Sequence, residues 1–279
     1  MYHRIVIVFM AVLVTTAALR AGEPSSADQS MDEAVNATGA DSSWRFDLKT
    51  WTWLMGLEGE TGVGTLDVDV DADFGDVLSA SDSLLGFSGR LEVGTGPLAG
   101  FVDGTWARIG AENRDGPGGV GRVDVTQELG VVDFGLMYRV YTGPLLGDAE
   151  SVQGDTLIDV YGGARYITLG VELDPDGLPR RSVDKDWVDP IVGIKIFQPL
   201  TERLDVEIWG DVGGFGASSD ITWSATAVVG FDFTLFNFPS TFYGGYRAVG
   251  WDYRDGSGVR AFKWDIIMHG PIIGIVVKF

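Results

Sequence analysis

Two histidines occur in the chain, His3 and His269, and only His269 lies beyond the N-terminal segment that reads as a signal peptide. Asp265 stands four residues before it. An imidazole and a carboxylate on one face can hold and activate a water, so the pair is a candidate general base for hydrolysis. The spacing sets no second acid pair and no nucleophilic serine beside them, and a lone imidazole is more often a packed polar group. Asp67, Asp69, Asp71 and Asp73 alternate along the chain. An EF-type calcium loop counted from Asp67 needs Gly at its sixth position and Glu at its twelfth. Ala72 and Leu78 stand there, so that motif fails. In an extended segment the four carboxylates would line one face and repel one another. Loose divalent-cation binding is the chemistry they offer; a solvated acidic loop over residues 65–82 is the plainer reading.

Charges of both signs recur at positions that strand alternation assigns to one face. They are Arg90 with Glu92, Asp159 with Arg165, and Asp189 with Lys195, followed by Asp205, Glu207 and Asp211, with Arg139, Arg247, Asp265 and His269 completing the set. Enclosed in a narrow barrel, these groups could form a charge-selective pore or a salt-bridge network that fills the interior. A ring of about ten strands is little wider than the eight-stranded case that side chains nearly fill, which favours the network. Other chemistries lack their residues. There is no cysteine, hence no disulfide framework, no thiolate metal site and no lipid-bearing cysteine. Neither a phosphate-cradling glycine loop between strand and helix nor a serine-centred elbow occurs. The glycine-rich run at residues 210–216 reads as a bend beneath Trp209 or Phe215. A formal charge of −20 excludes nucleic acid, whose phosphates require clustered Lys and Arg. No cofactor is implied.

The elements that must position these groups are strands. Residues 85–93 set Leu85, Phe87, Leu91 and Val93 against Ser88, Arg90 and Glu92. Residues 158–166, 188–196, 204–212 and 221–233 repeat the pattern, the last placing Ile221, Trp223, Ala225, Val229 and Phe231 opposite Thr222, Ser224, Thr226 and Asp232. Alternation of this kind, greasy on one face and charged or small on the other, is what a lipid-spanning wall needs, because Lys or Arg at the lipid midplane costs roughly 2–4 kcal/mol. The chain closes on Ile273, Ile275, Val277 and Phe279 sharing one face, the form of a C-terminal barrel-assembly signal. At the other end, residues 1–21 have the charged start, apolar run and small-residue end of a signal peptide, and residues 22–43 read as a flexible periplasmic leader. Residues 44–279 form the barrel.

Short and long breaks alternate, as they do in bacterial barrels with tight periplasmic turns and longer outer loops. Threading the chain through them predicts an all-β fold: one antiparallel up-and-down transmembrane barrel of ten strands, with eight or twelve as alternatives. Two segments break the face rule. Trp44, Phe46 and Leu48 share one parity, while Trp51, Trp53, Met55 and Leu57 share the other. The final strand changes phase near Gly270 and Pro271, where a bulge would turn Trp264, Ile266 and Met268 outward and Lys263, Asp265 and His269 inward.

The stretches at residues 67–78, 162–166, 187–193, 210–216, 244–247 and 270–274 together resemble a family of uncharacterised bacterial outer-membrane β-barrel proteins. That resemblance implies fold and location and carries over no activity. The expected protein is therefore an integral outer-membrane barrel with a polar, obstructed lumen and a structural or surface-interaction role. A narrow pore and an outer-membrane hydrolase are the alternatives. Its expected partners are outer-membrane lipid, lipopolysaccharide and the barrel-assembly machinery, with the protein itself a monomer.

Overall fold

The computed structural model describes residues 44–63, 66–80, 83–115, 122–145, 154–175 and 180–279. The expected signal peptide and leader lie outside the described residues, as do residues 64–65 and 81–82 of the expected acidic loop. In chain order the strands are β1 (Trp44–Trp53), β2 (Gly56–Val63), β3 (Leu66–Ala72), β4 (Ser83–Thr95), β5 (Leu98–Asp115), β6 (Arg122–Gly143), β7 (Thr156–Pro175), β8 (Arg181–Pro199), β9 (Leu204–Gly213), β10 (Ile221–Leu235), β11 (Phe238–Asp255) and β12 (Phe262–Lys278). A short helix, α1 (Phe74–Ala80), lies between β3 and β4.

Each of β4 to β12 pairs antiparallel with the next, and β1 pairs with both β4 and β12, so ten strands form a closed wall. Where β1 closes it the wall has no edge, whereas residues 83–87 of β4 and strand β3 each pair on one side only among the described residues. The remaining two strands form a hairpin, β2 pairing with the first half of β12 and β3 with β2. The segment expected to be a solvated acidic loop is therefore this hairpin's outer strand followed by α1. Asp73 caps the helix: its Oδ1 accepts the Asp76 N–H at 2.8 Å, and Asp76 Oδ2 accepts the Asp73 N–H at 3.3 Å. This reciprocal capping satisfies donors that a helix start otherwise leaves open.

At one end three of the four connections are tight turns, at residues 96–97, 200–203 and 236–237, while residues 144–155 join β6 to β7; the other end carries connections of five to seven residues and the segment holding β2, β3 and α1. Phe236 and Asn237, which turn β10 into β11, both have positive φ, 47° and 70°. Asn tolerates that geometry and Phe does not, so Phe236 is a strained position. The strands are long for a membrane wall. At about 3.3 Å per residue and a tilt near 40°, the 22 residues of β6 rise roughly 55 Å, against an apolar band of about 25 Å. Half of the barrel must therefore stand clear of any bilayer it spans.

The two halves have opposite polarity. In the turn-end half the outward residues are apolar, as with Phe134, Leu136 and Tyr138 of β6 or Val188, Val192 and Ile194 of β8. Asp133, Asp189 and Lys195 on the same strands point inward and are buried. In the loop-end half the outward residues include Glu128, Glu172, Asp184, Asp186 and Asp252, while Leu129, Ile167, Leu169, Trp187, Trp251 and Trp264 fill the interior as a packed core. Two solvents would impose that contrast: lipid draws apolar groups to an outer wall, whereas water drives them inward, where burying each large side chain gains about 1.5–3 kcal/mol.

This inversion overturns the two expected bulges. β1 and β2 run as one line along β12: Trp53 opposes Ile272 and Gly56 opposes His269, and equal intervals separate them on both sides. The Leu54 N–H donates to the Pro271 carbonyl at 2.9 Å, so pairing continues through the interval without an inserted residue. Trp51, Trp53 and Met55 keep the inward phase of Lys49 and are buried. Likewise Trp264, Ile266 and Met268 are inward, at 4%, 1% and 2% exposure, with no phase change at Gly270 and Pro271. Asp265 and His269 therefore lie on the outer face, and neither belongs to the lumen network expected of them.

Candidate lumenal network

Two tiers of charge fill the turn-end half of the lumen. In the lower tier, Glu92 accepts from Lys195 at 2.6 Å and from Arg90 at 2.6 Å, with Lys49 3.8 Å away. Glu207 takes a short ion pair from Lys49 and lies 3.6 Å from Lys195. Beneath it, at the rim, Arg139 forks onto both oxygens of Asp159 at 2.8 and 3.1 Å. In the upper tier, Arg165 is wholly buried and reaches both oxygens of Asp133 at 2.8 Å, Thr222 at 3.0 Å and Asp211 at 3.0 Å. Asp211 also accepts from the hydroxyls of Ser224 and Tyr161. Paired, forked contacts of this kind hold buried charges that would otherwise be expensive to desolvate.

Between the tiers lies Arg247. It reaches Asp103 at 3.4 Å, and its guanidinium carbon stands 5.5 Å from the Trp51 ring and 5.7 Å from the Trp53 ring. Arg90 closes the same level, 3.7 Å from Asp103 and 4.4 Å from the centre of the Phe101 ring. The charged half thus meets the aromatic core through cations laid on ring faces. Room for one of the large groups comes from Gly193, where a Cβ would collide with the Tyr161 ring.

The inward set read from sequence meets in this network except at particular positions. Asp189 does not pair with Lys195; it accepts from Ser219 N–H at 2.8 Å, Ser219 Oγ at 2.6 Å and Trp187 Nε1 at 3.1 Å, tying the β9–β10 connection to the wall. Asp159 and Arg165 do not pair with each other, each having a cross-strand partner instead. Asp205 is inward, and its Oδ2 has no hydrogen-bond partner among the described residues. Lys49, Asp103 and Asp133 were missed. Strand pairing was the available signal, since Asp103 opposes Arg90 and Asp133 opposes Arg165 in register.

The outer face at the loop end carries the remaining candidates. Asp252, Asp265, Glu60 and Asp69 oppose one another in a single row across β11, β12, β2 and β3. Lys263 bridges to Glu60 at 2.6 Å and Arg254 to Asp252 at 3.3 Å. Asp71 lies on this face too, whereas Asp73 serves α1; the side chain of Asp67 lies outside the described residues. Among the described residues no group of three or more His, Cys, Asp or Glu is arranged to hold a metal ion. His269 Nδ1 meets the Tyr246 hydroxyl at 2.6 Å, and its Nε2 lies 3.8 Å from Glu58. Ile273 and Phe279 are exposed on the outer wall, with Ile275 and Val277 of the same phase between them.

The fold is an all-β antiparallel barrel closed by ten strands, with two further strands. Among solved structures, the chain is similar to Ail, the attachment invasion locus protein of Yersinia pestis, crystallised with the heparin analogue sucrose octasulfate: 8% identity over 85% of this chain and 99% of that one, TM-score 0.38. It is also similar to the P. putida toluene transporter TodX, with 9% identity over 88% of this chain and 91% of that one, TM-score 0.19. No protein-family model and no curated protein matches the sequence. The assignment of ten closing strands rests on the barrel's own register.

Proposed function

We propose that the protein is a non-conducting outer-membrane barrel whose lumen network is structural and whose loop-end half is its working surface. The observation that carries this reading is the filled interior. Tiers of buried ion pairs occupy one half and a continuous aromatic and aliphatic core occupies the other, so a permeating solute would have to break both. A signal-exported monomer, inserted by the barrel-assembly machinery through the Ile273, Ile275, Val277 and Phe279 face, fits this arrangement. Acidic rows above the lipid band suit divalent cations bridging to lipopolysaccharide phosphates. The hydrolase alternative has less support, because His269 meets Tyr246 and Glu58 on the outer wall rather than a serine.

Planar-bilayer recording of the purified barrel tests the proposal. No steady channel events are expected from the wild type. Discrete, salt-dependent conductance steps would replace this reading with the narrow pore.

A further inference from the structure

Below the lower charge tier, the lumen opens at the turn end as a vestibule of about 260 Å³. Most of its charges are matched: Arg139 holds Asp159, Lys195 holds Glu92, and Lys49 holds Glu207. Asp205 is different. It lines the vestibule at 5% exposure, and its Oδ2 finds no hydrogen-bond partner among the described residues. At the rim, Lys278 lies 3.7 Å from Asp232 and opposes Asp47 in register, and Arg45 donates to the Gly96 carbonyl, so these cations are engaged by groups other than Asp205. A buried carboxylate without a partner is unfavourable by at least the desolvation of its lone pairs. An arriving cation relieves it.

The rest of the vestibule states what kind of cation. Phe197, Trp209 and Tyr243 line the same vestibule as Asp205, and Lys49 already rests its ammonium 5.5 Å from the Trp209 ring centre. Gly230 lies against the Asp205 carboxylate, where a Cβ would strike it, which leaves that side chain room to stay in place. We propose that this blind vestibule binds a small organic ammonium compound, its charged head on Asp205 and its apolar body on the aromatic wall. The inference rests on the blocked barrel described above, since a through-pore would give the ligand a path and not a seat.

The test uses the full-length barrel in detergent at pH 7, with 4-fluorobenzylamine followed by fluorine NMR line broadening. Saturable binding is expected, with the uncharged 4-fluorobenzyl alcohol and the anionic 4-fluorobenzoate bound at least tenfold more weakly. Asp205→Asn should weaken the amine at least tenfold while heat-dependent gel mobility is kept; Asp69→Asn on the outer wall should change nothing. Equal binding of the alcohol, or an Asp205→Asn variant that binds as the wild type does, would overturn the proposal, as would displacement by millimolar Mg²⁺. Should Asp205→Asn fail to fold, Trp209→Phe is expected to weaken amine binding in its place, and an unchanged affinity there is equally fatal. Conductance without amine binding would sink the blocked-barrel reading, whereas no conductance and no amine binding would sink this one alone.

Discussion

Replacing Arg165 by Met isolates what the lumen network contributes. The guanidinium is wholly buried, and Met restores similar bulk without charge. Its loss strips Asp133 of the donors on both oxygens and deprives Asp211 of its cation, although Asp211 keeps the Ser224 and Tyr161 hydroxyls. Breaking a buried pair from one side costs about 3–5 kcal/mol, because the abandoned carboxylate remains desolvated. Adding Asp133→Asn removes the stranded charge, so the double variant should recover part of the loss and lie within about 2 kcal/mol of the wild type. Urea unfolding from lipid vesicles, followed by tryptophan fluorescence, measures both. An Arg165→Met loss under about 1 kcal/mol, or a double variant whose loss is the plain sum of the two singles, would refute the claim that these charges are mutually compensated inside the wall.

Neighbouring residues on β12 should respond in opposite ways. Trp264→Ala empties part of the loop-end core and is expected to cost about 3–5 kcal/mol, whereas Asp265→Ala, relieving a row of like charges, should stay within about 0.5 kcal/mol of the wild type or stabilise it; urea midpoints compare them. At the top of the wall, Lys185 donates to Asp255 at 2.6 Å beside the Trp187–Tyr253 stack, and that hydrogen bond holds the Asp255 carboxyl below its ordinary 3.8. A carboxyl lowered on folding contributes stability above its unfolded pKa and loses it as pH falls through the folded value. The bridge should therefore be intact at pH 5 and break only below pH 3.8. A carboxyl-carbon NMR titration is expected to place the Asp255 midpoint below 3.8, and Lys185→Met to return it there. An unmoved midpoint would discount the bridge.

The turn-end half was readable because one rule, apolar outward and charged inward, holds throughout it. Residues 86–93, 158–166, 188–196, 204–212 and 221–233 have in the structure the inward and outward faces that their alternation gives. The loop-end half was not, because there the same alternation carries the opposite meaning, with apolar residues inside and acidic ones outside. Trp264, Ile266 and Met268 look lipid-facing on a hydropathy count, yet they fill the inside of the barrel. Nothing in a single strand marks the height at which the rule reverses. Within the network, the face of each charge was legible but its partner was not. Pairing depends on register between strands, which aligned Arg165 with Asp133, and on the path of the β9–β10 connection, which brought Ser219 to Asp189; no local pattern encodes either.

The reversal of polarity along the barrel is the centre of the account, and the absence of native cysteine makes it directly measurable. Spin labels placed singly at Trp264, Asp265, Ile272 and Ile273 of the folded barrel in vesicles can be probed with a lipid-soluble and a water-soluble relaxant. The account predicts that 265 meets the aqueous reagent, 273 meets the lipid-soluble one, and 264 and 272 meet neither. A label at 264 exposed to lipid while 265 is shielded would contradict it.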